Sequence, residues 1–165
     1  MRVTRSSAAG AAPQATLHSL RTRLRPVLAR VRVTSASLAS AQCVFERHAF
    51  VSLDVRRDAA GKEVPDQLPS TEAELQRCTS WLAHSAKLLQ DTLDANPNLT
   101  VIVHCNLGAS RSPAAVLAWL KLYHGVGQAE LPLVVQIMNE ICEVPCIGNA
   151  TMRPLDAWGT TLEMV

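Results

Sequence analysis

The sequence predicts an α/β domain, because short β-branched runs alternate along the chain with longer segments of helical periodicity. The clearest strand lies at residues 99–104, an apolar run that follows a turn sequence. A helix is predicted over residues 114–124. Ser112 suits its N-cap, Pro113 suits its first turn and Gly125 ends it. Strand, loop and helix in this order indicate a sheet with helices packed against it.

The first third of the chain is distinctly basic. Residues 1–45 contain seven arginines and no acidic residue, and because the whole chain carries a net charge of +2, the remainder carries −5. Residues 1–16 are rich in Ser, Ala and Gly and predict a disordered tail, which leaves residues 17–165 as the folded domain. Leucines then recur at helical spacing. They predict a helix over residues 17–31 that leads into a strand at residues 31–34.

This basic segment has a second interpretation. Its amphipathic, Arg-rich, Ser-rich and acid-poor composition is also typical of a mitochondrial transit peptide. Five cysteines, an odd number without framework spacing, favour a reducing compartment, as does the lack of a secretory apolar segment. The sequence therefore predicts a cytoplasmic protein, with mitochondrial import through the N-terminus as the alternative.

The middle and end of the chain continue the alternation. Residues 48–55 predict a strand, and residues 56–69 form a polar loop with several turn signals. Thr71 and Glu74 have the spacing of a capping box ahead of a long amphipathic helix. Two further helices are predicted over residues 129–142 and 155–162.

Length and composition set limits on the function. A chain of 165 residues with 48% hydrophobic residues is long enough for one domain with a substantial core. No apolar run approaches the ~18 residues of a membrane span. The N-terminal arginines lack the interleaved aromatic residues of a nucleic-acid surface. We therefore predict neither a membrane nor a nucleic-acid partner, and the sequence does not indicate the oligomeric state.

The loop between the central strand and its helix carries the strongest chemical signal. Residues 104–112 read His-Cys-Asn-Leu-Gly-Ala-Ser-Arg-Ser. A helix N-terminus offers unpaired N–H groups and a favourable dipole to an anion. A cysteine there, beside a cation, is stabilised as the reactive thiolate. The sequence therefore predicts a phosphate site with Cys105 as its nucleophile.

Each residue of this loop has a predicted role. Arg111 presents a planar fork that matches two phosphoryl oxygens. Gly108 gives the backbone freedom at the tight point, and His104 orients the loop from below. Ser112 donates a hydrogen bond toward the sulfur when the covalent intermediate breaks down. The phosphate-binding residues of the loop are Asn106, Leu107, Gly108, Ala109, Ser110 and Arg111.

These residues resemble the signature of the cysteine-dependent protein phosphatases, which is His-Cys, five residues, Arg, then Ser or Thr. The glycine and the serine before the arginine resemble the dual-specificity branch. The resemblance is strongest over residues 99–123. It implies a mostly parallel sheet of four to five strands with helices on both sides, a phosphocysteine intermediate, no metal and no cofactor. It also implies an aspartic acid as general acid.

Three aspartates are candidates for that acid. In similar phosphatases the acid follows, by a few residues, the strand that residues 50–55 resemble, so Asp58 is the first choice. Asp66 lies nearer the next helix and comes closer to the usual spacing before the cysteine. Asp54 falls within the strand itself. A carboxylic acid over the site would protonate the departing oxygen.

The loop also indicates the substrate class. Relatives that act on phosphorylated inositol lipids carry lysines inside the loop, whereas this loop has none, so a phosphorylated protein is the expected substrate. The long aromatic wall of tyrosine-specific relatives is not visible, which predicts a shallow pocket that admits phosphoserine and phosphothreonine beside phosphotyrosine. The alternatives are a phosphatase for a non-protein phosphate ester, a phosphate-binding adaptor of the same fold without turnover, or a sulfur carrier of the rhodanese type.

The remaining cysteines and the tryptophans have simpler interpretations. Cys43 is expected to be a small buried hydrophobic residue, with a redox partnership to Cys105 as the alternative. Cys142 and Cys146 have no second pair with which to form a zinc site. The three tryptophans are predicted to lie in the core: Trp81, Trp119 and Trp158.

Overall fold

The computed structural model describes residues 13–142 and 151–165, and these form an α/β fold. The strands are β1 (Val31–Ser35), β2 (Phe50–Asp54) and β3 (Thr100–Cys105). The helices are α1 (Pro13–Leu28), α2 (Ala36–Phe45), α3 (Glu72–Ala95), α4 (Arg111–His124), α5 (Leu131–Ile141) and α6 (Pro154–Glu163). None of the helices in these two stretches is both long and apolar enough to cross a membrane.

The sheet has the order β1-β3-β2, with both pairs parallel. The resemblance implied four to five strands, but the described residues form three. Of the described residues before β1, Pro13–Leu28 form a helix. The segment between β2 and α3 contains Gly61 at a φ of +79° and the prolines Pro65 and Pro69, which have no N–H to donate to a ladder. Neither segment therefore adds an outer strand.

The two faces of the sheet are covered unequally. Side chains alternate along a strand, so Val101 and Val103 of β3 share one face and Ile102 and His104 the other. Val101 and Val103 belong to the main core, with residues of α1, α3, α4, α5 and α6. Helix α2 contacts all three strands. Ile102 is buried with Ala39 of α2 but lies outside the main core. Helix α2 thus covers the second face.

The tryptophans lie in the core, as predicted. Trp81, Trp119 and Trp158 are buried, and the ring centroids of Trp81 and Trp158 are 4.9 Å apart. The Trp81 indole N–H donates a 2.8 Å hydrogen bond to the Val55 carbonyl oxygen. This bond joins α3 to the segment that leaves β2, next to the candidate site.

The N-terminal helix is confirmed with shifted bounds. It begins at Pro13, before the predicted residue 17, and buries Leu20, Leu24 and Leu28. The tail was predicted over residues 1–16, but residues 13–16 belong to α1, and residues 1–12 lie outside the described residues. Arg21 donates two 2.9 Å hydrogen bonds to the Glu140 carboxylate, which ties α1 to α5.

Helix α2 was not predicted from the sequence. It begins after Ser35, whose side chain accepts a hydrogen bond from the Leu38 N–H over 3.3 Å, and Ala39 is its only buried residue. Its small residues give little helical periodicity. The predicted capping box of α3 is half confirmed. Thr71 Oγ1 accepts from the Glu74 N–H over 3.1 Å, but the Glu74 carboxylate accepts from Ser70.

Candidate active site

The loop between β3 and α4 brings the predicted nucleophile to the start of a helix. Strand β3 ends at Cys105, and α4 begins at Arg111, three residues before the predicted start. The N-cap is Ser110 and not Ser112, because the loop turns into the helix two residues earlier than the Ser-Pro signal indicated. Ser112 Oγ instead lies 3.3 Å from Cys105 Sγ. This is the contact that the sequence predicted for a serine assisting the sulfur.

Gly108 is required by close packing at the loop. Its φ is +76°, a left-handed conformation that L side chains rarely adopt. A Cβ at this position would lie 2.6 Å from the carbonyl carbon of Thr34 and 2.7 Å from its oxygen. The loop therefore rests directly on the end of β1, and only glycine allows this approach.

Hydrogen bonds hold the rest of the loop in place. The Asn106 carbonyl accepts from the Ala36 N–H over 3.2 Å, and the Ala109 carbonyl accepts from the Arg153 N–H over 2.6 Å. Ser110 Oγ accepts from the Trp158 indole N–H over 2.9 Å. The loop is thus bound to α2 on one side and to α6 on the other. Such fixing favours a rigid set of N–H donors for an anion.

Arg111 is almost fully buried, at 3% exposed. Its Nη1 donates to the Val64 carbonyl oxygen over 2.8 Å and lies 3.5 Å from Glu63 Oε1. Its Nε is buried and has no hydrogen-bond partner among the described residues. A buried guanidinium donor without a partner is costly, so this arrangement favours an anionic ligand at Arg111.

A second arginine reaches the loop, and the sequence reasoning missed it. Arg56 Nη1 donates to Asn106 Oδ1 over 2.9 Å. Its Nε and Nη2 bind the Asp54 carboxylate at 2.6 to 3.0 Å. Burial alone would raise the pKa of Asp54, but the hydrogen bonds from Arg56 outweigh it and hold that pKa below its usual value. The only signal for Arg56 in the sequence was its place in the polar loop that follows β2. That signal does not specify which side chain of the loop turns toward the site.

His104 is the residue before Cys105 in β3, and its predicted role of orienting the loop stays a prediction. It is 9% exposed, and its Nδ1 has no hydrogen-bond partner in the described part of the chain. Burial lowers the pKa of His104, which favours the neutral imidazole near neutral pH. No group of three or more His, Cys, Asp or Glu side chains in residues 13–142 and 151–165 is placed to hold a metal ion.

The three candidate acids have different surroundings. Asp58 accepts backbone hydrogen bonds from Lys62 and Ala60, at 2.9 and 3.0 Å, and pairs with Arg77 at 3.0 Å. The hydrogen bond from Lys62 is the main cause that lowers the pKa of Asp58. Asp54 is bound by Arg56, as described above. Asp66 is exposed, and its carboxylate has no hydrogen bond or ion pair in the described structure.

The other cysteines are not brought together. Cys43 is partly exposed on α2, and Cys78 and Cys142 are buried free thiols. Cys43 is therefore not the buried residue that the sequence indicated, because it lines a cavity between α2 and β2. Burial raises the pKa of Cys142 to about 12. Cys146, named in the zinc argument, lies outside the described residues.

Comparisons with known proteins do not identify a family for the chain. No protein-family model matches the chain, and no curated protein matches it. The geometry of the loop and of the residues that surround it is therefore what indicates the function.

Proposed function

We propose that the protein is a cysteine-dependent phosphatase of the dual-specificity type, which hydrolyses phosphotyrosine, phosphoserine and phosphothreonine in proteins through a phosphocysteine intermediate. One observation carries the proposal. Cys105 Sγ lies 3.3 Å from Ser112 Oγ at the N-terminus of α4, in a loop that also holds the unpartnered buried Nε of Arg111. A thiol, a hydroxyl donor and a free guanidinium donor in one helix-capping loop suit phosphoryl transfer.

Binding of the phosphoryl group follows from the donors of the loop. The N–H groups at the start of α4 and the helix dipole attract the dianion. Arg111 adds a charged donor that binds phosphoryl oxygens in a planar geometry. Gly108 keeps the loop pressed against β1, so the donors are held in place before the substrate arrives.

The reaction has two steps. The Cys105 thiolate attacks phosphorus, the phosphorus–sulfur bond forms, and the bond to the substrate oxygen breaks while an acid protonates that oxygen. Water then attacks the phosphocysteine. A phosphorus–oxygen bond forms, the phosphorus–sulfur bond breaks, the sulfur leaves as a thiolate, and the carboxylate left by the first step takes the proton of the water. Ser112 Oγ supports this departure by donating a hydrogen bond to the sulfur.

The surroundings of the three aspartates favour Asp66 as the general acid over the first expectation, Asp58. Asp58 is held as a carboxylate by two backbone N–H groups and Arg77, which disfavours a proton on it. Asp66 is unpaired and follows by two residues the Val64 carbonyl that binds Arg111. It therefore lies on the loop that adjoins the phosphate site and is not engaged elsewhere.

The experiment is hydrolysis of an aryl phosphate by full-length protein in the presence of a chelator. Activity should persist, and vanadate and thiol alkylation should abolish it. Cys105→Ser should stop turnover while phosphate binding remains, and Arg111→Lys should weaken both because the planar fork is lost. Mass spectrometry of the acid-quenched wild type should find phosphate on Cys105. Activity that depends on added metal would contradict the mechanism.

One observation favours the alternative of a phosphate-binding adaptor without turnover. The Glu63 carboxylate lies 3.5 Å from Arg111 Nη1 and repels a phosphate that approaches the same guanidinium. An adaptor would bind phosphotyrosine but release no phosphate from any ester. The aryl phosphate assay therefore separates the two functions.

A further inference from the structure

A groove lies between α2 and β2 and has a cavity volume of about 480 Å³. It adjoins the loop from Cys105 to Arg111, which we call the phosphate loop after its proposed ligand. We call it the α2–β2 groove. Ala36, Ser40, Cys43 and Val44 of α2 line one wall, Ser52 and Asp54 of β2 line the other, and His104 and Arg56 line the end near the loop. Its volume falls in the range of sites that hold a ligand.

The groove exists because small residues face each other across it. Ala36, Ser40 and Cys43 follow one another at helical spacing, and Ser52 is the residue opposite on β2. Such short side chains cannot fill the space between a helix and a strand. From Ala36 to Val44 the helix rises about 12 Å. That length holds three to four residues of an extended chain at about 3.3 Å per residue.

One end of the groove meets the phosphate loop. The Ala36 N–H at the start of α2 donates to the Asn106 carbonyl, and Arg56 donates to the Asn106 side chain. Asn106 immediately follows Cys105. A chain lying in the groove would therefore leave it beside the residue that holds the nucleophile.

The wall formed by β2 belongs to an edge strand of the sheet. The Val55 N–H donates to the His104 carbonyl, so the odd-numbered residues of β2 pair with β3. The N–H and C=O of Ser52 consequently point away from β3. No strand among the described residues pairs with this outer edge of β2. An extended peptide is the ligand that such an edge binds, through its main chain.

Five of the eight side chains that line the groove are polar, and their charges are nearly balanced. Ser40 and Ser52 carry hydroxyls, and His104 is buried with an unpartnered Nδ1. Asp54 and Arg56 neutralise each other in an ion pair at 2.6 Å. A lining of this kind suits hydrogen bonding to uncharged main chain better than the capture of a second phosphate.

We propose that the α2–β2 groove binds, in extended conformation, the segment of a substrate protein that adjoins the phosphorylated residue. The substrate class is then phosphorylated proteins and not small phosphate esters. This proposal rests on the proposed phosphatase function, since it needs a phosphorylated residue at Cys105.

Cys43 provides a direct test, because it lines the groove and is partly exposed. In the full-length Cys105→Ser protein, alkylation of Cys43 by iodoacetamide is followed by mass spectrometry of its peptide. A saturating phosphotyrosine peptide with residues on both sides should slow this alkylation at least ~10-fold, because the bound peptide covers the thiol. Free phosphotyrosine, inorganic phosphate and the unphosphorylated peptide should leave the rate unchanged.

The second test fills the groove with a large side chain and measures kcat/KM. Ser40→Trp should lower kcat/KM for the phosphopeptide ~10-fold more than for an aryl phosphate, because only the peptide extends into the groove. Ala41→Trp is the matched control, since Ala41 is exposed on the same helix and does not line the groove. Ala41→Trp should leave kcat/KM unchanged for both the phosphopeptide and the aryl phosphate.

The outcomes separate the two proposals. Turnover of aryl phosphate without protection of Cys43 and without a peptide-selective effect of Ser40→Trp would overturn the groove assignment and leave the phosphatase standing. Protection of Cys43 by the unphosphorylated peptide would show a docking site unrelated to the phosphate loop. Absence of turnover on every ester would overturn the proposed function itself. If Ser40→Trp slows hydrolysis of both substrates equally, the protection of Cys43 from alkylation decides whether the groove assignment holds.

Discussion

Arg111 Nη1 donates a 2.8 Å hydrogen bond to the carbonyl oxygen of Val64, a residue 47 positions earlier in the chain. This bond ties the phosphate loop to the segment between β2 and α3. It leaves Arg111 Nε as a free donor and brings the segment with Glu63 and Asp66 next to the loop.

The first prediction concerns the general acid. Asp66→Asn should slow hydrolysis of a phosphopeptide by ~10²-fold or more, because a poor leaving group needs a proton. The same variant should affect an aryl phosphate with an acidic leaving group much less, and the basic limb of the pH profile should disappear. Asp58→Asn is the matched control and should keep both limbs. The reverse result, with the loss at Asp58 alone, would restore the first expectation from the sequence.

The second prediction concerns Glu63. Glu63→Gln should lower KM for an aryl phosphate by up to ~5-fold, because it removes a half-exposed carboxylate that competes for Arg111. The effect should shrink at high salt, since the Glu63 carboxylate is accessible to solvent. Glu72→Gln, an exposed carboxylate at the start of α3, serves as the control and should leave KM unchanged. An unchanged KM in Glu63→Gln would mean that Glu63 swings away when phosphate binds.

The third prediction concerns Gly108. Both Gly108 and Gly61 have a positive φ, but a Cβ at Gly61 meets nothing within 4 Å. Gly61→Ala should therefore cost about 1–2 kcal/mol of unfolding free energy from backbone strain alone. Gly108→Ala should cost more and should also reduce kcat, because the added methyl group pushes the loop away from Thr34. Urea unfolding and aryl phosphate kinetics measure the two effects. Equal losses in both variants, with kcat unchanged, would contradict the close approach.

The fourth prediction concerns alkaline pH. Burial raises the pKa of Cys142 to about 12, above an ordinary value of 9.0. The unfolded chain therefore loses this proton at lower pH than the folded chain does. The stability contributed by the neutral thiol is complete below pH 9 and is lost as the pH rises toward 12, at up to about 1.4 kcal/mol per pH unit.

Cys142→Ala provides the comparison for this pH effect. The free energy of unfolding should fall more steeply with pH in the wild type than in Cys142→Ala, measured by urea unfolding between pH 8 and pH 10 with a reducing agent present. At low pH the two proteins should differ in unfolding free energy by a constant amount, because Cys142→Ala leaves a cavity in the core. Parallel curves over this range would show that Cys142 is not buried in solution.

Several elements were predictable from the sequence because they depend on neighbours in the chain. β3 is a short β-branched run, and α4 ends at Gly125 with a φ of +66°. Thr71 caps α3 as its spacing indicates. Helix α2 was missed, because Ala and Ser give a weak hydrophobic period and the helix buries only Ala39. Its stability comes from contact with the sheet, which no local pattern displays.

The motif of the phosphate loop, with Cys105, Gly108, Arg111 and Ser112, is local, and the sequence by itself determined it together with the strand and helix on either side. Only the tertiary structure decided which charged groups surround that loop. Arg56 reaches Asn106 across 50 positions, and Arg111 meets Glu63 across 48. The tertiary structure likewise decided that Asp58 is engaged with Arg77 while Asp66 is not. The physical reason is range: backbone conformation and capping depend on residues a few positions apart, whereas ion pairs depend on distances in space between segments that the sheet brings together.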